Sequence, residues 1–275
     1  MRQMARVIAL FVALGGGAGT GAQTAFAQQA PDPRVADLVA AGKLRVAIGL
    51  GTPALAIKDA TTGEPRGPAM ELGRALAARI GVAFTPIEYQ RPGTILDGAA
   101  STAWDVAFLV IHPVRAEKAD FSQPYMQSDF TYLVPAGSSI RSVADVDKPG
   151  IRIAVPRGDA SDLELTRVLR RAELVRTESL EAASELVRSG QADVRASPRV
   201  VLLAESARLP GSRVLDEGFA PIAYGALVPK GQAGRLAYID EFIDEAKASS
   251  LIERVIESAG LRGIRAVPAR KAAPE

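Results

Sequence analysis

Apolar and polar positions along the chain follow two rhythms. Leu44 to Leu50 alternates large and small side chains and predicts a first strand, broken by Gly51-Thr52-Pro53. Ahead of it, Arg34 to Ala41 predicts one short helix ending at Gly42. Asp59 to Gly63 reads as a turn. Ala69, Leu72, Leu76 and Ile80 then recur at helical spacing, with Gly81 as the stop. Phe84 to Tyr89 predicts another strand. Val106 to Ile111 is a continuous apolar run, as in a buried strand, and it ends at His112-Pro113, where proline removes a ladder donor. Strand, helix and strand at these crossover lengths predict an α/β chain with a parallel sheet.

The alternation then starts again. Phe130 to Val134 predicts a strand leading into Pro135-Ala136-Gly137, and Ile151 to Val155 predicts the next. Arg157-Gly158-Asp159 reads as a tight turn. Ser161-x-x-Glu164 has the form of a capping box ahead of Leu165, Val168 and Leu169. Leu180, Ala183 and Val187 mark a helix ended by Gly190, and Ala192-Asp193-Val194 opens a further strand. Ala223 to Val228 predicts a strand that leaves through Pro229-Lys230-Gly231. Leu236, Ile239 and Ile243, then Ile252, Val255 and Ile256, predict C-terminal helices. The pattern allows a second α/β unit inserted into the first.

Composition narrows the classes. With 48% hydrophobic residues and a net charge of +2, the chain can bury a sizeable core and does not have the composition of a disordered protein. No basic run is interleaved with aromatics, which argues against nucleic-acid binding. Arg2 and Arg6, the apolar stretch Val7 to Leu14 and Ala25-Phe26-Ala27 together read as a signal peptide over residues 1–27. Export to the periplasm is therefore expected. There is no cysteine, which excludes disulfides and thiol chemistry, and one histidine, which excludes a multi-histidine zinc site. No cofactor or metal is expected.

The candidate chemistry centres on Arg115, at the end of the Val106 to Ile111 strand. A guanidinium offers a fixed fork of donors that fits a carboxylate. The plain alternative is a surface arginine paired with Glu117 or Asp120. In open α/β sheets ligands bind beyond the carboxyl ends of the strands. That criterion selects the segments Leu50 to Leu55, Leu109 to Arg115 and Pro156 to Ser161. The unpaired N–H groups of the first helical turn after Asp159 would suit an anion. The plain alternative there is a turn and a cap.

The stretch Asp105-Val106, His112-Pro113-Val114-Arg115 and Asp120-Phe121-Ser122-Gln123-Pro124-Tyr125 resembles the signature of the periplasmic solute-binding proteins of family 3. These are the amino-acid class serving ABC importers, and the likeness runs weakly over residues 42–264. It implies a type II periplasmic binding fold of two lobes, each a mostly parallel sheet flanked by helices, joined by two crossing hinge strands. Residues 28–135 would begin lobe 1, 136–222 form lobe 2, 223–265 return to lobe 1 and 266–275 make a flexible tail. The crossings are expected near 134–137 and 220–224. Arg115 takes the place of the carboxylate-binding arginine, and Ala160 and Ser161 that of the second-lobe carboxylate contacts. His112 stands near a hydroxyl position of the family; the alternative is an ordinary loop histidine. Val110, Asp159 and Ser197 complete the candidate site with Thr52 and Leu55.

Departures from the pattern concern the ligand. The family's aromatic near Thr52 or Leu55 is absent. The acid that would hold an α-ammonium is missing from Ala196-Ser197-Pro198-Arg199, where Arg195 and Arg199 add positive charge. Ala69 replaces the usual acid before the first long helix, and the segment leading to the arginine is about two residues short of the family's usual length. Asp159 or Glu205 then substitutes for the lost acid, or the ligand is an organic acid rather than an α-amino acid. The resemblance implies a monomeric, non-enzymatic capture protein for a small carboxylate-bearing solute, handing it to an ABC permease in the inner membrane. Two alternatives stand beside it: a periplasmic enzyme on the same fold resembling cyclohexadienyl dehydratase, with His112, Asp159 or Glu205 as general acid, and a ligand-sensing module.

Overall fold

The computed structural model describes residues 31–269; the expected signal peptide and the last residues of the expected tail lie outside the described residues. A 3-10 turn, Pro33–Val35, runs into α1 (Ala36–Ala41), closed by Gly42 at φ 66°. β1 (Lys43–Gly49) follows, then a small hairpin of β2 (Ile57–Lys58) and β3 (Pro65–Arg66). α2 (Pro68–Ile80) begins on a proline, whose missing N–H is not needed in a first turn, and ends at Gly81. Its buried residues include Ala69, Leu72 and Leu76, the face its spacing predicts. β4 (Ala83–Tyr89), a 3-10 stretch Pro92–Gly98, β5 (Val106–Val110) and the single turn α3 (Pro113–Ala116) complete the first part.

The second part opens with a long strand, β6 (Ala119–Val134), and continues through β7 (Arg152–Pro156), α4 (Ala160–Val168), β8 (Glu173–Thr177), α5 (Leu180–Arg188), β9 (Val194–Pro198), α6 (Arg199–Ser206) and β10 (Arg213–Val214). β11 (Ala220–Pro229), α7 (Ala233–Ala248), α8 (Leu251–Ser258) and β12 (Arg265–Ala266) end the described chain.

One sheet runs in the order β4-β1-β5-β11-β6-β9-β7-β8, with β10 and β12 added on β6. β4, β1 and β5 are parallel, as are β9, β7 and β8. Between these groups β11 and β6 run antiparallel to each other and to their outer neighbours. Each parallel group carries its own core. One cluster holds Leu44, Leu72, Trp104 and Phe108; the β7–β9 group packs Ile153, Val155 and Leu165 on one face and Ala154, Ala183 and Val187 on the other. Two lobes therefore share one sheet, joined through β6 and β11.

Two sequence expectations need adjusting, and one segment without a predicted element gains one: Asp120 to Tyr125, the end of the signature stretch, lies inside β6. Pro124 is tolerated there because the ladder with β11 shifts register around Gly225, and Ser122 Oγ accepts the Ala226 N–H at 2.9 Å. β6 pairs with β11 as far as Phe130 and with β9 from Phe130 to Leu133, so the pairing changes hands a few residues before 134–137. The segment from 266 begins with paired backbone: Ala266 lies opposite Met126, and Val267 N–H donates to Tyr125 O at 2.9 Å.

The two parallel groups are built alike. The Arg45 backbone N–H and Nε donate to Asp105 Oδ2 at 2.8 and 3.1 Å. Arg152 does the same to Asp193 Oδ2, again at 2.8 and 3.1 Å. Each aspartate stands just before a strand parallel to its arginine's own, and Ala47 pairs with Ala107 as Ala154 pairs with Arg195.

Candidate ligand-binding cleft

The carboxyl ends of β1, β5, β7 and β9 converge on one cavity of about 30 Å³. Thr52, Leu55, Val110, Arg115, Asp159, Ala160, Ser161 and Ser197 all line it. His112 does not. A cavity this small holds about two waters, so a solute of several atoms enters only when the lobes part. Contacts between them describe a closed state. Arg91 Nη1 donates to Glu178 O at 2.9 Å, and a Cβ on Gly93 would stand 3.1 Å from Gly158 O. Gly51, at φ 86°, leaves room for Leu180 in the same way.

Arg115 is placed by its own turn. His112 is the extended N-cap of α3, its Nδ1 accepting the Val114 N–H at 3.3 Å, and Pro113 fixes the first helical φ. The guanidinium is 2% exposed and donates from Nη1 to Val110 O at 3.2 Å. Among the described residues it forms no salt bridge; Asp120, one of its expected surface partners, pairs with Lys230. Burial pushes its pKa down, and the nearby Asp159 pulls the other way.

Across the cleft, Asp159 is the N-cap of α4, but its side chain makes no capping bond. Ser161 is therefore inside the first turn and not a cap, which corrects the capping-box expectation; Glu164 turns instead toward His112. The loop is held by Asp162, which accepts the Gly158 N–H at 2.9 Å and pairs with Arg176 at 2.8 Å. Asp159 is left facing the cavity. Burial raises its pKa, while Arg115 first, then Arg195 and Arg91, favour the carboxylate. Of the two acids expected to replace the family's ammonium partner, Asp159 lines this cavity. Glu205 meets Arg195 in a separate, larger one.

His112 is buried, with Nε2 facing Glu164 Oε2 at 3.6 Å. With Nδ1 accepting a bond, the neutral ring carries its proton on Nε2, toward that carboxylate. The contact joins the α3 cap of one lobe to α4 of the other. Leu109 lines the cavity too, at the start of the selected segment Leu109 to Arg115; sequence reasoning missed Pro92, Leu180, Pro198, Val201 and Tyr224, which complete the lining. Tyr224 lies within the apolar run Ala223 to Val228 and is brought to the cleft by its pairing with Val110; nothing in the run marks it as different from its neighbours. Among the described residues no cluster of three or more His, Cys, Asp or Glu could hold a metal, and no helix is long and apolar enough to cross a membrane.

A buried arginine facing a helix N-terminus across the cleft between two strand-joined lobes defines a class, the two-lobed solute-binding proteins. The chain belongs to the bacterial extracellular solute-binding proteins, family 3, whose profile matches residues 44–259. A glutamine-binding protein of Geobacillus stearothermophilus is 25% identical over 189 residues, covering 67% of this chain and 71% of its own. The amino-acid ABC transporter substrate-binding protein AbpA of Streptococcus pneumoniae, solved with L-arginine, superposes with a TM-score of 0.73 at 21% identity, over 81% of this chain and 96% of that one. An ancestral amino-acid-binding protein, described as a precursor of cyclohexadienyl dehydratase, gives 0.71 at 24% identity, over 81% and 96%. These likenesses show the type II fold.

Proposed function

We propose that this protein captures a small carboxylate-bearing solute, an amino acid or an organic acid, by hinge closure in the periplasm. It then presents the solute to the permease of an ABC importer in the inner membrane, acting as a monomer. The observation that carries this reading is Arg115, a buried guanidinium with no carboxylate in contact among the described residues. A buried charge without a counter-ion is costly, and an incoming carboxylate would offset that cost. The first-turn N–H groups of α4, at Ala160 and Ser161, face the same cavity and suit the same anion.

Asp159 favours an amine-bearing solute within that class. Among the described residues it is the one carboxylate lining the cavity, and its side chain has no hydrogen-bond partner there, a place an α-ammonium would fill. The named relatives, which bind glutamine or arginine, agree with an amino acid. A binding role without catalysis is supported by the scatter of the three candidate acids. His112 faces Glu164, Glu205 meets Arg195, and only Asp159 lines the smaller cavity.

A thermal-shift panel of the mature protein tests the reading, with amino acids beside dicarboxylates, aromatic acids and keto acids. A cognate solute at about a hundredfold over Kd adds about 2.7 kcal/mol of stability. Stabilisation by amino acids assigns Asp159 to the amine. Stabilisation only by acids without an amine assigns the solute to the organic acids. No shift with any carboxylate contradicts the proposal.

A further inference from the structure

A second cavity, of about 540 Å³, adjoins the first. Leu180 and Val201 line both, and Thr52 faces the smaller while its neighbours Gly51 and Pro53 face the larger. Its walls come from both lobes, with Arg66 and Arg262 on one side and Ser184, Arg195 and Glu205 on the other. That volume lies within the range of about 300–1,000 Å³ typical of small-molecule sites.

Arg195 is the unusual group in it. The likeness of the two parallel sheets places it where β5 carries Ala107, a fully buried alanine. A guanidinium 2% exposed thus stands at a core position. Its Nη1 meets the Glu205 carboxylate and donates to Ser184 Oγ at 3.0 Å. Nε and Nη2 have no hydrogen-bond partner among the described residues. This is the edge by which Arg45 grips Asp105 and Arg199 grips Asp129, so it is shaped for a carboxylate. Burial lowers the Arg195 pKa to about 10, against the pull of Asp159, so the group stays cationic at neutral pH. Around it Arg66 and Arg188 pair with Asp59 and Glu185, whereas Arg208 and Arg262 enter no ion pair among the described residues. Glu181 also lines the cavity without an ion pair among the described residues, so the unpaired charges there leave one net positive charge, which favours an anion.

We infer that the larger cavity is the distal compartment of the same cleft, and that the buried, unpartnered Nε–Nη2 edge of Arg195 receives a second carboxylate there when the lobes part. The solute is then a small acid with a carboxylate at each end. This rests on the reading of Arg115 as the first carboxylate's partner.

The test is calorimetric titration at fixed ionic strength with straight-chain monoacids and diacids of matched length, each with and without an α-amine. The wild-type protein should bind the best diacid about ten- to a hundredfold more tightly than its monoacid. The double substitution Arg195→Met/Glu205→Gln removes both buried charges together. Within that variant the diacid should bind no more tightly than its own monoacid. Arg195→Lys, which keeps the charge and loses the fork, serves as a second variant and should lose most of the diacid advantage. A wild-type protein without that advantage, or an advantage that survives both variants, overturns the inference while leaving Arg115 in place. Failure of both acids to bind the wild-type protein, or unchanged binding of both by Arg115→Ala, overturns the first reading instead.

Discussion

Replacing Arg115 by methionine separates binding from folding. The guanidinium is buried, bonded only to Val110 O among the described residues, and its pKa is lowered by that burial. Methionine removes a buried charge without leaving a partner carboxylate in contact, so the unliganded protein should be as stable as before or slightly more so. Binding should suffer heavily. A bidentate grip is two hydrogen bonds to a charged group, each about 1.5–3 kcal/mol, so the loss is about 3–6 kcal/mol, or about 10²- to 10⁴-fold in Kd. At a solute concentration giving the wild-type protein about 2.7 kcal/mol, the variant retains about 0.4 kcal/mol or less. For a domain of this size that is a fall from about 5–11 °C of ligand-induced Tm shift to below about 2 °C. Differential scanning calorimetry with and without solute reads both quantities. An unchanged ligand shift removes Arg115 from the site. A collapse of the unliganded Tm shows that the guanidinium is structural.

Three further outcomes follow from the same geometry. Asp159→Asn should weaken amine-bearing solutes by about ten- to a hundredfold and spare acids without an amine; equal losses for both in titration would detach Asp159 from the ammonium role. Burial and the Arg115 and Arg167 charges hold the His112 imidazole below its ordinary pKa, with Glu164 opposing. A histidine lowered in the folded state contributes stability that is full above its unfolded pKa of about 6.5 and is lost as pH falls toward the folded value. The Tm should therefore drop between about pH 7 and pH 5 more steeply than in His112→Asn, which keeps a capping acceptor; parallel profiles would clear His112 of the effect. Gly93→Ala crowds Gly158 O across the cleft and should cost about fivefold or more in affinity through impeded closure, with the unliganded Tm unchanged. Wild-type affinity in that variant would show that the lobes close without that contact.

Much of the cleft was readable because strand ends and helix starts leave local marks. Gly51-Thr52-Pro53, His112-Pro113 and Arg157-Gly158-Asp159 are the breaks at which β1, β5 and β7 release the chain, and each delivers residues to the cleft. Two features share one cause, the dependence of local structure on distant partners. Pro124 fits inside β6 only because of the register shift around Gly225 on β11 and the bond from Ala226 N–H to Ser122 Oγ. Ser161-x-x-Glu164 has capping spacing, but Asp159 already begins the helix and Glu164 bonds Arg167 at 2.6 Å while its other oxygen faces a histidine of the other lobe. Arg195 illustrates a third limit. The motif it departs from marked it as extra charge, yet its burial and its unpartnered edge follow only from the packing of β9 against β7 and from the Ser184 and Glu205 contacts.

The central claim is that Arg115 and the α4 N-terminus recognise a carboxylate inside a closing cleft. Its most direct test is calorimetric titration of one cognate solute against its own primary carboxamide, which keeps shape and volume and removes the negative charge. The acid should bind at least about a hundredfold more tightly, the loss of a charge-assisted pair. Equal affinity for acid and amide would contradict the account.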